Sequence, residues 1–114
     1  PHDTAMLTLK TQNMSQFELH IRAIMNIPIP KIYANMPGIS IPLIVKNYDR
    51  QINGDILDIP NELFSIKGTH VYIFGKPYVE GRRRMGLIIC IGSTISETIG
   101  KLQKIKNMIP DYIP

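Results

Sequence analysis

The stretch GKPYVEGRRRMG, residues 75–86, holds four permanent cations, Lys76, Arg82, Arg83 and Arg84, between two apolar runs. Like charges this close repel one another, so the group favours an anion among them. Arginine offers a planar fork that fits phosphate oxygens, and lysine adds a compact point charge. The chemistry such a set supports is recognition of a phosphate-bearing ligand. The plainer alternative is a solvated hairpin tip, which is what most surface charge runs are. Gly75 and Gly86 flank the cations and leave room for a ligand or a second backbone to approach.

Other reactive side chains are sparse. His2 and Asp3 are adjacent, as in a ligand couple, an acid–base pair or a loop cap, and Asp3-Thr4 also suits a turn. His20 and His70 have no partner at metal spacing, and a single cysteine gives no zinc pattern. Cys90 lies in an apolar strand, where an inert core thiol is expected rather than a nucleophile. No Walker loop, G-x-G-x-x-G or G-x-S-x-G motif is present.

The elements that must position these residues belong to a chain of 114 residues, 44% hydrophobic and 19% charged, which is globular composition. Its net charge of +4 directs attention to phosphates, nucleotides or nucleic acid. A lone cysteine excludes an internal disulfide framework and fits a reducing, cytoplasmic setting. No apolar run reaches the roughly 20 residues needed to span a bilayer, and no signal-peptide pattern opens the chain. The Pro-His-Asp-Thr start reads as the interior of a longer protein.

Residues 5–11, AMLTLKT, alternate apolar and polar and predict a short strand. Ser15 and Glu18 form a capping box, and Phe17, Ile21, Ile24 and Met25 recur at helical spacing, predicting a helix over 16–26 that Pro28 and Pro30 stop. Residues 27–37 read as a stiff linker. ISIPLIVKN then predicts a strand whose Pro42 demands an edge or a bulge. Asn53-Gly54 signals a hairpin, and Ile56, Ile59, Leu63, Phe64 and Ile66 would tack the polar segment around them to a core. HVYIFGKPYV and RRMGLIICIG predict two hairpin arms joined at Glu80-Gly81-Arg82, the second arm buried on both faces. On that geometry Lys76 shares a face with Arg83 or with Arg84, depending on turn length. Thr94 and Glu97 form another capping box, opening a helix with the stripe Ile95, Ile99, Leu102, Ile105 and Ile109. The order strand, helix, strands, helix gives an α+β fold, with a boundary in the Pro-rich stretch.

PHDT, TLKTQNMSQFELHIRAIMNIPI and FGKPYVEGRRRMG together resemble the C-terminal part of the formate-dependent phosphoribosylglycinamide formyltransferases, of the ATP-grasp superfamily. The resemblance is tight over residues 1–28 and 73–86 and loose over 38–70. It implies that residues 1–35 are the end of an ATP-grasp domain, a strand plus a helix. Residues 36–114 would be a small C-terminal β domain, sandwich- or barrel-like, with a terminal helix. The activity implied is formylation of glycinamide ribonucleotide with ATP and formate, through formyl phosphate. By motif, Asp3 resembles the family's substrate-contacting aspartate, placed to orient the amine. Lys76 resembles its substrate lysine, and Arg83 and Arg84 its arginine pair on the phosphate. Arg82 receives no role.

The ligands for ATP and Mg2+ would lie upstream of this chain, so the isolated chain is expected to be inactive. The full enzyme is expected to be a cytoplasmic homodimer, with neither membrane nor nucleic acid as partner. Ala5 stands where the family usually has glycine. The sister ATP-grasp enzyme that makes N5-carboxyaminoimidazole ribonucleotide shares the SQFE-x-H-x-R helix. Its hairpin reads Arg-Lys-Met-Gly-His, whereas this chain has Arg83-Arg84-Met85-Gly86-Leu87. A basic nucleic-acid-binding module is the reading from another class. Aromatic residues do not interleave with the cations as a stacking platform requires.

Overall fold

The computed structural model describes residues 3–53 and 58–113, apart from the side chains of residues 47–53 and of Tyr78. A 3-10 turn (Asp3–Leu7) leads into helices α1 (Thr8–Thr11) and α2 (Gln16–Ile24). Strand β1 (Gly38–Asn53), helix α3 (Asn61–Phe64), strands β2 (Thr69–Ile73) and β3 (Tyr78–Ile91) and helix α4 (Ile95–Met108) follow, closed by a 3-10 turn (Pro110–Tyr112). The fold is α+β, built on a three-stranded antiparallel sheet in the order β1-β3-β2.

β3 is the central strand, and its residues 85–90 are buried, as their continuous apolar run predicts. Pro42 pairs opposite Leu87 on the edge strand β1, where its missing N–H breaks no ladder. Ile41, Leu43, Ile88 and Cys90 meet Leu63, Ile105 and Ile109 in the core. Burial pushes the Cys90 thiol above its usual pKa, as suits an inert core thiol.

Residues 5–11, expected as a strand, are helical. Thr8 Oγ1 donates to the Ala5 carbonyl at 2.6 Å and Thr11 Oγ1 to that of Leu7 at 2.9 Å. Leu7 and Thr11 pack over Gly38, where an added Cβ would lie 2.5 Å from Thr11 Cγ2. Buried threonine on the inward face disguised the helical spacing, and over so short a run the two periods are hard to separate.

Ser15 caps α2 as expected, its Oγ accepting from Glu18 N–H at 3.2 Å. The Glu18 carboxylate instead pairs with Arg22 at 3.0 Å, one turn on. The helix ends before the prolines act. Asn26 takes φ 54°, its N–H bonds Ala23 O, and Ile27 N–H bonds Arg22 O at 2.8 Å, the Schellman pattern. The linker then folds back, with Asn35 N–H on Thr11 O at 2.7 Å.

The hairpin turn expected at Glu80-Gly81-Arg82 is absent, because β3 runs straight through those residues. Ladder pairing of β2 with β3 ends at Ile73 opposite Gly86, with Phe74 N–H still donating to Met85 O. The chain reverses through residues 74–77, where Gly75 takes φ 65° and Pro77 has no N–H to offer. Beyond that point, among the described residues, β3 pairs with β1 alone, as a two-stranded ribbon. Gly81 also has φ 66°, yet it sits at a register irregularity against β1 and not at a reversal. Gly54 and Ile56, and so the Asn53-Gly54 turn, lie outside the described residues.

Two further expectations shift in phase. Phe64 is 58% exposed, because Leu63 takes the inward position of the single-turn α3 while Ile59 and Ile66 pack against the core. α4 packs through Thr98, Leu102 and Ile105, with Ile109 just past its end also buried, leaving Ile95 70% exposed and Ile99 outside. Its cap holds: Thr94 Oγ1 accepts from Glu97 N–H at 3.1 Å, and Glu97 in turn accepts from Ser93 N–H at 3.0 Å. Among the described residues no helix is long and apolar enough to cross a membrane.

Candidate anion-binding site

The cations gather where β2 stops and the β1–β3 ribbon begins. A β-bulge marks the spot. Leu43 faces Gly86 but the next residue, Ile44, faces Arg84, so Met85 is the extra residue on β3. A bulge twists its strand locally and re-aims the neighbouring side chains. Gly86 beside it lets β2 approach, since a Cβ there would stand 2.5 Å from the Tyr72 carbonyl oxygen. The room anticipated at Gly86 is therefore filled by a second backbone. Gly75 has open space and serves the reversal through its positive φ.

Arg84 Nη1 donates to both carboxylate oxygens of Asp3, at 2.8 and 2.7 Å, across 81 residues of chain. The two side chains are 38% and 19% exposed. Lys76 Nζ donates to the Arg84 carbonyl at 2.6 Å, just beyond the last β2–β3 pair. The Phe74 ring lies beneath the ammonium, its centroid 5.6 Å away. Partial burial, and then the Arg83 charge, lower the Lys76 pKa, while the Asp3 carboxylate opposes the shift and Arg84 adds to it. Asp3, Lys76, Arg83 and Arg84 therefore form one electrostatic cluster. The question of which arginine accompanies Lys76 dissolves, because Lys76 is not on a strand. It lies in the reversal and senses both. Arg82 is exposed on the ribbon.

Phe74 escaped the sequence reading. An aromatic residue two positions before the lysine was the available signal. His2 is outside the described residues. His20 is exposed, and burial, then the Lys10 charge, hold His70 below the usual imidazole range. Surface hollows of about 160 and 200 Å³ lie elsewhere, beside Lys67 and Lys101 and beside Ser40 and Lys106. Neither gathers as many charged groups as the cluster, which unites Asp3 with the cations of residues 75–86. Among the described residues no group of three or more His, Cys, Asp or Glu side chains that could hold a metal ion occurs.

The backbone has close counterparts. The N5-carboxyaminoimidazole ribonucleotide synthetase of Thermotoga maritima superposes with a TM-score of 0.82 at 26% identity, over 95% of this chain and 30% of that one. The phosphoribosylaminoimidazole carboxylase ATPase subunit of Aquifex aeolicus gives 0.77 at 27% identity, over 94% of this chain and 30% of that one. These neighbours are ATP-grasp enzymes, which is the class that the fold defines.

Sequence narrows the class. Residues 57–109 match the family model described as PurT, C-terminal. The formate-dependent phosphoribosylglycinamide formyltransferase of Marinobacter nauticus is 37% identical over 85% of this chain and 24% of its own length. The enzyme of the same name from Prochlorococcus marinus is 43% identical over 78% of this chain and 22% of its own. The chain is similar to the C-terminal part of the formate-dependent phosphoribosylglycinamide formyltransferases. It spans about a quarter of the length of the curated relatives it matches.

Proposed function

We propose that this chain is the C-terminal part of a purine-biosynthesis enzyme that formylates glycinamide ribonucleotide, and that its cluster holds the ribonucleotide's phosphate. In that reaction ATP phosphorylates formate, giving formyl phosphate and ADP. The substrate amine then attacks the formyl carbon and phosphate leaves. The observation that carries the reading is the meeting of Asp3, Lys76 and Arg84 in one place, with Arg83 in electrostatic reach. Three cations and one carboxylate sum to +2, the complement of a phosphate monoester dianion. Bidentate and charge-assisted donors at the phosphate end would anchor the ligand so that the amine meets its target.

On this reading residues 1–35 end an ATP-grasp domain, and residues 36–114 form a small C-terminal β domain, sandwich- or barrel-like in the whole protein. ATP and Mg2+ are held by residues outside the chain, and the whole protein is a cytoplasmic homodimer. The isolated chain does not turn over. The structural neighbours favour a second reading, a synthase of N5-carboxyaminoimidazole ribonucleotide. Both substrates carry a ribose 5-phosphate, so the cluster serves either. The higher identities to the formyltransferases favour the first.

The test is ADP release by the full-length protein. Formate with glycinamide ribonucleotide is expected to support it, and Lys76→Met and Arg83→Met to raise KM for the ribonucleotide but not for ATP. Turnover that requires bicarbonate and an aminoimidazole ribonucleotide instead would establish the sister activity. Salt-sensitive binding to random oligonucleotides, with no response to ribose 5-phosphate, would point to a nucleic-acid module.

A further inference from the structure

The Asp3–Arg84 pair is built in an unusual way. A fork-to-fork arginine–carboxylate pair uses two nitrogens. Here a single nitrogen, Nη1, serves both oxygens. Among the described residues no hydrogen bond engages Arg84 Nη2 or Nε, and the side chain is 38% exposed. Arg84 stands directly before the bulged Met85, where the bulge turns side chains away from the regular strand direction. Asp3, by contrast, opens the 3-10 turn that docks through Leu7, and through Thr11 beyond it, over Gly38 of β1. A part-buried carboxylate thus holds an arginine at the point where the bulge redirects the strand's side chains.

We infer that Asp3 acts on a bound ribonucleotide through Arg84, as a positioning residue that turns Nη2 and Nε toward the phosphate. The inference rests on the phosphate-site reading above and departs from the amine-orienting role that the resemblance implies for Asp3. It also fixes a sign. By charge alone, a carboxylate beside a phosphate site repels the ligand, so deleting it would tighten binding. As a positioning residue, Asp3 strengthens binding, so its removal weakens it.

The experiment is calorimetric titration of the full-length protein with ribose 5-phosphate, which has no amine, and with glycinamide ribonucleotide. Asp3→Asn is expected to weaken both ligands by the same factor, about tenfold, the scale of one charge-assisted hydrogen bond. In an Arg84→Met background Asp3→Asn is expected to change nothing further, because the two residues act as one unit. Arg84→Lys leaves Asp3 and the net charge in place but supplies one nitrogen where two jobs exist. It is expected to bind ribose 5-phosphate as poorly as Arg84→Met, and it keeps the test decisive if Asp3→Asn does not fold. Tighter or unchanged ribose 5-phosphate binding by Asp3→Asn overturns the inference. So does a loss confined to the amine-bearing ligand, a loss that persists in Arg84→Met, or wild-type affinity in Arg84→Lys. If Arg84→Met itself binds ribose 5-phosphate like wild type, the phosphate-site reading fails first, and that result is distinguishable from the others.

Discussion

Alanine at position 86 would place a methyl carbon 2.5 Å from the Tyr72 carbonyl oxygen and 3.1 Å from Leu43 Cδ1. Gly86 is not among the positive-φ glycines, so the cost is steric and owes nothing to backbone preference. The obstructing atom is backbone, and Tyr72 sits inside the β2–β3 ladder opposite Leu87. Relief requires β2 to retreat from β3 over the residues that seal the core. Overpacking of this kind costs about 1–3 kcal/mol. For a domain this small, each kcal/mol moves the melting temperature by about 4–8 °C. A fall of about 5–20 °C is expected by circular dichroism. The same retreat drags Phe74 and Lys76, which bond Met85 O and Arg84 O immediately beyond, so ribose 5-phosphate affinity should fall with stability. Gly75→Ala is the control. It has open space around it and φ 65°, so it carries only the left-handed backbone penalty of about 1–2 kcal/mol. Wild-type melting by Gly86→Ala would refute the close-approach argument.

Ile105→Ala, at a fully buried site on α4, is expected to lose about 2–5 kcal/mol in urea unfolding, whereas Ile95→Ala, on the exposed flank, stays within about 0.5 kcal/mol. For Lys76, burial and then the Arg83 charge depress the folded pKa below the ordinary lysine value. Between the folded and unfolded values the unfolded chain binds more protons, so stability rises with pH across that window. Anion affinity runs the other way, declining as pH climbs through the lowered pKa. Titrations with ribose 5-phosphate should show that decline starting below pH 10.5, and Lys76→Arg should move it to higher pH. A pH-independent affinity in the wild type would remove Lys76 from the site.

Much of the architecture was legible in local chemistry. The two capping sites at Ser15 and Thr94, the buried run 87–90, the edge placement of Pro42 and the buried Cys90 each depend on a few adjacent residues whose preferences act wherever the chain goes. Of the candidate site, Lys76, Arg83 and Arg84 were legible as a dense run of cations, whereas Asp3 was joined to them only through the family resemblance, which singled out all four. Tertiary structure decided what depends on distant partners. Residues 5–11 are helical because Leu7 and Thr11 have Gly38 to dock against. The chain reverses at Gly75 and not at Gly81 because β2 runs out there, while β1 continues to pair with β3. The packed face of α4 is set by where the sheet lies. Above all, the contact of Asp3 with Arg84 joins residues 81 positions apart. A local pattern states what a residue can bond, but which partner comes within 3 Å is a property of the whole packed chain, and only burial against that chain settles it.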